Sequence, residues 1–286
     1  VSDKEYDKLY DELRKLEEQS GRVEPDSPTR RVGGEPIKAF KKHEHIHRLY
    51  SLDKAVTEEE LFAFEQRALK LSLKDSLEYT VEYKFDGLTI CLTYEDGYFV
   101  GAATRGNGVV GEDVTAQVLK IKSFPLKIQK KGIVEVKGEA IIRLSVLEEY
   151  NKTADEVLKN ARNAAAGAIR NLDPAITEKR KPEIIFYDIN YLSDGVILSQ
   201  TEAREFLKQN GFKVSEFFRV CKGMEEVLYA IDEIDINRKN IDVLTDGAVV
   251  KINDYSIRDA LGETDKFPRW AIAFKFEAEE VTTVLT

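Results

Sequence analysis

The chain has 286 residues, a mass of 32.5 kDa, 42% hydrophobic and 33% charged residues, and a formal net charge of -9 with a pI near 5.2. This balance is typical of a globular protein with one large domain or two unequal ones, and no run approaches the roughly 18 apolar residues of a membrane helix. We therefore expect no membrane partner. The acidic charge also argues against a protein whose main task is to bind a phosphate backbone.

The two cysteines, Cys91 and Cys221, are far apart and have no metal-ligand spacing. They exclude a disulfide scaffold and a four-cysteine zinc site, and they fit a reducing cytoplasm. Cys91 lies in an apolar stretch, so we predict a core residue rather than a nucleophile. No signal-peptide pattern opens the chain, and Val1 at its start indicates a trimmed chain, so we expect a cytoplasmic protein.

A helix is predicted at the start of the chain. Ser2 and Glu5 have the spacing of a capping box, and the apolar residues that follow recur with a helical period. Residues 25–36 contain three prolines and two glycines, which is typical of a turn-rich linker. We therefore predict two domains: an N-terminal helical module with its linker at 1–36, and a main domain at 37–286.

Three histidines, His43, His45 and His47, alternate along the chain, so on a strand their rings would share one face. Such a face is a candidate metal site, but no acid or cysteine stands beside it at ligand spacing. We therefore favour a half-exposed strand over a metal site, and we expect no zinc in this chain.

Strands dominate the rest of the chain, after a helix that begins at a capping box of Thr57 and Glu60. The predicted strands cover 79–84, 88–94, 97–104, 133–143, 183–192, 247–253 and 270–276. Two more helices are predicted from about 199 to 210 and from about 225 to 236. Because strands and helices show no regular βαβ alternation, we predict an α+β fold with largely antiparallel sheets.

One face of the strand at 79–84 is charged. Glu82, Lys84 and the following Asp86 point to one side, whereas the apolar residues between them point to the other. Three ionisable groups are costly to bury unless they pair or line a site. A salt-bridged strand face and a functional cleft explain this stretch about equally well.

The same pattern recurs at 133–143, where Glu135, Lys137 and Glu139 share a face. Two further strands are apolar apart from one lysine each, Lys251 and Lys275. Each lysine could simply extend from a strand end into solvent. Three strand lysines with matching acids instead favour a phosphate site.

A lysine in such a site can act as a nucleophile. Attack by its amine on an α-phosphate gives a nucleotidyl-lysine. The reaction needs positive charge on the phosphate, which Lys251, Lys275 and a divalent metal could supply. It also needs acceptors for the base and the ribose, and Glu82 and Glu139 are available.

The glycine-rich residues 106–111 fit the G-x-G-x-x-G pattern of a dinucleotide site. Two features argue against this interpretation. Glu112 and Asp113 put negative charge where the phosphates would lie, and the helix that follows must end before Pro125. A tight glycine turn that presents Arg105 is better supported.

The tetrapeptide Lys84-Phe85-Asp86-Gly87 resembles the K-x-D-G motif of covalent nucleotidyltransferases, which include DNA ligases, RNA ligases and capping enzymes. Further stretches are similar to the bacterial NAD-dependent DNA ligases in particular, and they follow the family's order along essentially the whole chain. These stretches are Asp3-Lys4-Glu5-Tyr6-Asp7, Asp26-Ser27-Pro28-Thr29, Ser51-Leu52-Asp53, Thr104-Arg105-Gly106, Gly111-Glu112-Asp113-Val114-Thr115, Gly138-Glu139, Arg162-Asn163-Ala164-Ala165-Ala166-Gly167, Asp246-Gly247-Ala248-Val249-Val250-Lys251 and Pro268-Arg269-Trp270-Ala271-Ile272-Ala273-Phe274-Lys275-Phe276.

The resemblance implies a small helical module followed by a nucleotidyltransferase domain with mostly antiparallel sheets and flanking helices. It implies that Lys84 takes AMP from NAD and releases nicotinamide mononucleotide, that Asp86 orients the lysine, and that Mg²⁺ or Mn²⁺ assists. The other residues that match nucleotide contacts are Glu82 for adenine, Glu139 for the ribose, Tyr187 beside the base, Ser51 and Leu52 along the pocket, and Arg105, Lys251 and Lys275 for the phosphate.

The helical stretch Asp3-Lys4-Glu5-Tyr6-Asp7 matches the part of the family that binds the nicotinamide mononucleotide half of NAD, chiefly through Asp3, Tyr6 and Asp7. The linker would then let this module close over bound NAD. The region that normally precedes Asp3 in the family is missing, so we expect weaker NAD binding.

The chain differs from the family pattern at several positions outside the proposed contacts. These are Arg48, Tyr50, Asn107, Lys137 and Ala161. The chain also lacks the family's later domains, so we expect a monomeric fragment that attaches AMP to itself. We expect it to bind nicked DNA weakly and to seal nicks poorly, whereas the full-length enzyme would serve replication and repair.

Two alternatives remain. An ATP-dependent ligase or capping enzyme shares K-x-D-G but has no use for the residues at 3–7. A catalytically idle nucleotide-binding or interaction module would keep the fold without the reaction.

Overall fold

The structure is a computed structural model that describes residues 3–31 and 37–276. Its helices are α1 (Asp3–Ser20), α2 (Glu58–Ser72), α3 (Thr115–Val118), α4 (Leu144–Asn151), α5 (Ala161–Ile169), α6 (Pro174–Arg180), α7 (Gln200–Gln209), α8 (Met224–Asn237) and α9 (Tyr255–Leu261). Its strands are β1 (Lys42–Glu44), β2 (Asp53–Ala55), β3 (Glu78–Phe85), β4 (Leu88–Glu95), β5 (Tyr98–Thr104), β6 (Val110–Glu112), β7 (Ile133–Ile141), β8 (Glu183–Leu192), β9 (Phe218–Lys222), β10 (Thr245–Ile252) and β11 (Ala271–Lys275).

The chain divides into two compact units. The first unit comprises Val1–Leu49, Gly87–Val196 and Ala203–Val214. The second unit comprises Tyr50–Asp86, Ile197–Glu202 and Ser215–Thr286. Each unit contains its own sheet and its own hydrophobic core.

The first unit is built on an antiparallel sheet with the strand order β5-β4-β7-β8. Strands β4 and β5 form a hairpin because Asp96 and Gly97 both take positive φ, as a tight two-residue turn requires. Along β7, Val134 and Val136 are fully buried in the core, whereas Glu135 and Glu139 point to the opposite face. The predicted charged face of this strand is therefore confirmed. A separate antiparallel pair joins β1 to β6.

The second unit is built on a sheet with the order β2-β11-β10-β3-β9, in which β2 runs parallel to β11 and the other pairs are antiparallel. Along β3, Val81 and Tyr83 enter a core that includes buried residues of α2 and α8. Glu82 and Lys84 therefore lie on the other face, as predicted.

The helix ends follow their capping residues. Thr57 accepts a hydrogen bond from the Glu60 N–H at 3.3 Å, and the Glu60 carboxylate accepts one from the Thr57 N–H, which confirms the predicted capping box of α2. Before α7, the Ser199 hydroxyl accepts a hydrogen bond from the Glu202 N–H at 3.1 Å. The proposed capping box of Ser2 lies outside the described residues, as do 32–36 of the linker.

The α+β fold class with flanking helices is confirmed, and the seven predicted strands all occur with small shifts at their ends. The short helices α4, α5, α6 and α9 and the strands β2, β6 and β9 were not predicted from the sequence. Among residues 3–31 and 37–276, no helix has the length and apolar character that crossing a membrane requires. The proposed division at residue 36 stays a prediction.

Candidate functional site

In the second unit, three neighbouring strands align their charged side chains. Gly247 of β10 pairs with Lys84 of β3 on one side and with Lys275 of β11 on the other. Because side chains directly opposite each other share a face, both lysines lie on the same side of the sheet as Glu82 and Lys251. The structure thus brings together four of the residues singled out in the sequence.

Asp246 contacts both Lys84 and Lys275, which form a row of two lysines across the three strands. The Lys84 Nζ donates to its two carboxylate oxygens at 2.7 and 2.9 Å, and the Lys275 Nζ lies 3.2 Å from the second of them. Asp246 is the extra residue of a β-bulge, since Thr245 pairs with Phe85 and Gly247 with Lys84. The bulge turns the Asp246 side chain towards the lysines. The sequence analysis gave this residue no role, although its place before a glycine at a strand start was a usable signal.

Glu82 and Lys251 form a buried ion pair with an N–O distance of 2.6 Å, and their side chains are 7% and 5% exposed. Excluding water from both charges strengthens their attraction, but each alone would be costly to bury. The two residues were expected to bind different parts of a nucleotide. In this structure each meets the other.

Gly247 lets the backbones of β10 and β11 approach each other closely. A Cβ atom there would lie 1.9 Å from the carbonyl oxygen of Phe274, a backbone atom that cannot move aside without disturbing the strand pair. Ala273 lies on the same face of β11 as Lys275. Gly247 and Ala273 thus add little side-chain volume to the face that carries Lys84 and Lys275.

Three other predicted residues of the second unit lie beside these strands. The Asp86 N–H donates to the Leu244 carbonyl at 2.9 Å, which fixes the end of β3. Ser51 is exposed and Leu52 half-buried, and both directly precede β2, the parallel neighbour of β11. The carboxylate found against the Lys84 Nζ is that of Asp246.

In the first unit, Arg105 directly follows β5 and is half-buried. Its N–H donates to the Thr89 carbonyl at 3.3 Å, and its own carbonyl accepts from the Gly108 N–H at 3.0 Å. Gly106 and Gly108 take φ values of 56° and 92°, which favour glycine. A tight glycine turn therefore presents Arg105, as the sequence indicated.

The dinucleotide interpretation of residues 106–111, against which Glu112 and Asp113 already argued in the sequence, is wrong. The Asn107 side chain accepts hydrogen bonds from the N–H groups of Val109 and Val110, and the chain then enters strand β6 rather than a helix. The helix that follows, α3, has only four residues. No helix N-terminus is presented by this turn to bind a pyrophosphate.

Glu139 and Tyr187 lie near each other on the first unit's sheet. Thr89 of β4 pairs with Glu139 of β7 and donates its hydroxyl to the carboxylate at 3.0 Å. Tyr187 is the extra residue of a bulge in β8, because Lys137 pairs with Asp188 and Gly138 with Phe186. Desolvation, together with the nearby Glu139 carboxylate, raises the pKa of Tyr187. Thr89 was missed by the sequence analysis.

Gly87 of the K-x-D-G motif makes a close backbone contact. A Cβ atom there would lie 2.3 Å from the carbonyl oxygen of Ala140 and 3.0 Å from the Glu139 side chain. The absence of a side chain at Gly87 therefore lets the start of β4 approach β7 closely.

The N-terminal stretch lies on α1, as predicted. Glu5 is exposed, whereas the side chains of Asp3, Lys4, Tyr6 and Asp7 lie outside what the structure describes. Further along, the Thr29 hydroxyl donates to Glu17 of α1 at 2.6 Å, and Arg31 donates to the Phe124 carbonyl at 2.6 Å. These contacts connect α1 to the sheet core of the first unit.

The second unit's face is suited to chemistry on a phosphate. The Lys84 amine lies within proton-transfer distance of the Asp246 carboxylate, and Lys275 supplies a second positive charge beside it. The cysteines are unsuited to this role because both are buried, and burial raises the pKa of each thiol, that of Cys221 to about 11.

Two family models match the chain. The model "NAD-dependent DNA ligase adenylation domain" matches residues 37–279, and the model "DNA ligase-like, N-terminal NAD+-binding domain" matches residues 1–33.

Curated relatives match along the whole chain. A DNA ligase of Alkaliphilus metalliredigens is 54% identical over 286 residues, covering 100% of this chain and 43% of the relative. A DNA ligase of Finegoldia magna is 50% identical over 294 residues, covering 100% of this chain and 44% of the relative. The chain thus spans less than half the length of these relatives. Among solved structures, an archaeal ATP-dependent RNA ligase aligns with 82% of this chain and 49% of its own, with a TM-score of 0.45 and 13% identity.

Proposed function

The chain belongs to the family of NAD-dependent DNA ligase adenylation domains, and we propose that Lys84 is the residue that accepts AMP from NAD. The observation that carries this proposal is the contact of the Lys84 Nζ with both oxygens of Asp246, at 2.7 and 2.9 Å, within a K-x-D-G motif. A lysine held in this way is positioned, and its proton has an acceptor.

In the proposed step, the Lys84 ammonium first gives one proton to solvent, and the neutral Nζ then attacks the α-phosphorus of the AMP half of NAD. A nitrogen–phosphorus bond forms, and the bond from phosphorus to the bridging oxygen breaks. Nicotinamide mononucleotide leaves with the electron pair, and the proton from Nζ passes to the Asp246 carboxylate. Asp86, at the end of the same strand, would help to orient the lysine.

Positive charge near the phosphate comes from three further residues in the proposal. Lys275 shares Asp246 with Lys84, and Lys251 would exchange part of its contact with Glu82 for a phosphate oxygen. Arg105 would bind the phosphate from its glycine turn. Such preorganised charges stabilise the transition state because they are in place before the reaction begins.

The remaining predicted contacts concern the nucleoside. We assign Glu82 to adenine, Glu139 to the ribose hydroxyls and Tyr187 to packing beside the base, with Ser51 and Leu52 along the pocket. The buried setting of Glu82 and the hydrogen bond between Thr89 and Glu139 both hold carboxylate acceptors in fixed positions. Fixed acceptors favour one orientation of a ligand.

On the N-terminal helix, the stretch Asp3-Lys4-Glu5-Tyr6-Asp7 would bind the nicotinamide mononucleotide half of NAD. Its position on α1, within the part of the chain that matches the N-terminal NAD+-binding model, supports this assignment. In this proposal the residues before the linker form a module at 1–36 and the adenylation domain occupies 37–286.

A divalent ion, Mg²⁺ or Mn²⁺, fits the same face provided that a bound phosphate and water supply most of its ligands. Mg²⁺ takes oxygen ligands and is commonly held through substrate phosphates, and Asp246 is the carboxylate whose oxygens lie in the lysine row. When bound, the ion would neutralise charge on the phosphate. Because those oxygens already contact two lysines, most of its ligands would come from phosphate and water.

The later steps of nick sealing concern the longer proteins. We propose that the AMP on Lys84 is passed to the 5′-phosphate of nicked DNA in replication and repair, in the cytoplasm of a bacterium. The acidic charge of this chain supports weak DNA binding by the chain alone. We expect the chain to be a monomer.

The proposal is tested by intact-mass spectrometry. The chain is first treated with excess nicotinamide mononucleotide and Mg²⁺, which reverses the reaction and removes AMP attached before purification. It is then incubated with Mg²⁺ and either NAD or ATP. We expect one AMP per chain with NAD and none with ATP, and peptide mapping should place the AMP on Lys84.

The variant Lys84→Ala completes the test. It should gain no AMP with NAD, and its far-UV circular dichroism should match that of the parent. An AMP gain with ATP alone would contradict the proposed donor, and an AMP gain in Lys84→Ala would contradict the proposed nucleophile.

A further inference from the structure

Two of the three alternating histidines meet a buried acid in the first unit. The side chains of His43, His45 and Glu135 each place one ligand atom within 4.8 Å of the other two. Glu135 lies about ninety residues further along the chain, on β7. No acid stands at ligand spacing near these histidines in sequence, which is why the sequence alone favoured a half-exposed strand over a metal site. The fold supplies one from a distant strand.

The tautomer of His45 is fixed by the backbone. Its Nε2 lies 3.1 Å from the carbonyl oxygens of both Thr104 and Arg105. Carbonyl oxygens only accept hydrogen bonds, so Nε2 carries the hydrogen and Nδ1 keeps its lone pair. Nδ1 is buried and has no hydrogen-bond partner among the described residues, and the same holds for Nε2 of His43.

Glu135 is the most buried member of the cluster, with 0% exposure. It accepts hydrogen bonds from the Asn190 amide and, at 3.4 Å, from the Thr93 hydroxyl. In the described part of the chain no lysine or arginine pairs with it, and Lys137, two residues along the strand, pairs with Asp188 at 3.3 Å. A buried carboxylate without a positive partner is costly.

We propose that His43, His45 and Glu135 bind one divalent ion of the zinc class. Two imidazole nitrogens and a carboxylate oxygen are ligands that Zn²⁺ prefers, whereas Mg²⁺ prefers oxygen alone. Ligand bonds of about 2.0–2.2 Å place tetrahedral ligands roughly 3.3 Å apart. Because the ligand atoms lie within 4.8 Å of one another, the three side chains have to close by up to about 1.5 Å, and water would fill the fourth position.

The contacts around the cluster are those of a supported metal site. A metal-binding histidine typically donates its other N–H to a carbonyl, and a metal-binding carboxylate typically accepts further hydrogen bonds. His45 does the first through Thr104 and Arg105, and Glu135 does the second through Asn190. The bound ion would connect the β1 region to β7 and hold the backbone at Arg105.

The site is tested by Co²⁺ titration of the tag-free chain after treatment with EDTA, in the absence of nucleotide. Co²⁺ in a four- or five-coordinate site absorbs visible light far more strongly than hydrated Co²⁺. We expect one strongly absorbing Co²⁺ per chain, displaced by Zn²⁺ and not by Mg²⁺. Elemental analysis of the zinc-loaded chain should give the same ratio.

Two ligand variants and one matched control decide the assignment. His43→Ala and Glu135→Gln should each weaken Co²⁺ binding at least about 100-fold, since changes to outer contacts alone cost about 10–100-fold. His47→Ala should bind as the parent does, because His47 is exposed and packs against Tyr191 with ring centroids 5.3 Å apart.

Thermal unfolding gives a second measurement. Zn²⁺ should raise the Tm of the parent and of His47→Ala but not of His43→Ala, because only a folded state that binds the ion is stabilised. If Glu135→Gln fails to fold, His43→Ala, a half-exposed position, decides the result. No stoichiometric binding by the parent, unchanged binding in His43→Ala, or equal loss in His47→Ala would each overturn the assignment.

Discussion

Strands β3 and β7 carry the same pattern, two or three charged residues on one face, but their surroundings differ. On the β3 face, the ion pairs around Lys84 and Lys251 comprise three lysines (84, 251 and 275) and two carboxylates (82 and 246), a surplus of one positive charge within that group. On the β7 face one lysine (137) meets three carboxylates (135, 139 and 188), a surplus of two negative charges. The first face favours a phosphate, whereas the second favours a cation and hydroxyl donors.

The difference arises from neighbouring strands rather than from the pattern itself. Strand β10 brings Asp246 and Lys251 to β3, and β11 adds Lys275. Strand β8 brings Asp188 and Asn190 to β7; Asp188 follows one bulge, and Asn190 is the extra residue of another. A charged strand face therefore indicates a candidate site. The net charge of that site is set by the residues that the neighbouring strands, through their pairing register, place against the face. The difference between the two faces can be tested by making the same substitution at matching residues of each.

The largest expected effect comes from exchanging lysine for arginine on both faces. Lys84 and Lys137 match in exposure, 21% and 19%, and each pairs with an aspartate. Arginine keeps the charge, but its guanidinium stays protonated and cannot supply a neutral amine. Lys84→Arg should lose AMP attachment from NAD completely, and Lys137→Arg should keep it. Intact mass after incubation with NAD measures both.

The control for this pair is the far-UV circular dichroism of each variant, which should match the parent. AMP attachment in Lys84→Arg, or its complete loss in Lys137→Arg, would show that the two lysines do not differ as proposed.

The next largest expected effect is a difference in the free energy of unfolding between variants of the two buried glutamates, Glu82 and Glu135. Glu82→Gln leaves the Lys251 ammonium buried without its carboxylate, and breaking a buried pair in this way costs about 3 kcal/mol. Glu135→Gln removes a buried charge that has no lysine or arginine partner among the described residues, so with EDTA present its cost should stay below about 1 kcal/mol. Urea unfolding gives both free energies.

The double variant Glu82→Gln with Lys251→Met is the control for this measurement. It should recover most of the loss, because removing both partners leaves no buried charge. Equal losses in the two glutamate variants would mean that pairing does not distinguish the faces.

Local periodicity was enough to predict seven of the strands and the buried sides of β3 and β7. The alternation of Val81 and Tyr83 with Glu82 and Lys84 is a property of consecutive residues, and it holds in the structure. Helix α5, for example, was missed because its nine residues are mostly alanine with one glycine. This composition shows little apolar periodicity. The Asn160 side chain that caps α5 was its usable signal.

Partners from distant segments escaped for a different reason. Asp246 reaches Lys84 through a bulge, and Glu135 reaches the histidines from another strand. The expected face of three histidines was also wrong, since β1 ends at Glu44 and His47 lies beyond it. Pairing register depends on the whole sheet, and a one-residue bulge changes which side chains meet.

The smallest expected effect is a difference in local opening between the two sheets. Cys91 lies on β4, an inner strand of the first unit, and Cys221 lies on β9, an edge strand of the second. Burial raises the pKa of both thiols, so each reacts with a thiol reagent only when its strand opens. An edge strand opens by separating from one neighbour, so Cys221 should react about tenfold faster than Cys91. The single variants Cys91→Ser and Cys221→Ser assign the two rates.

Zinc extends this measurement to the comparison of the two faces. Cys91 pairs with Lys137 of β7, two residues from Glu135, so an ion bound at Glu135 should slow the labelling of Cys91. The labelling of Cys221 should not change, and His43→Ala should abolish the zinc effect on Cys91. If zinc slowed both thiols equally, the ion would be acting on the reagent or on the whole chain rather than on the β7 face.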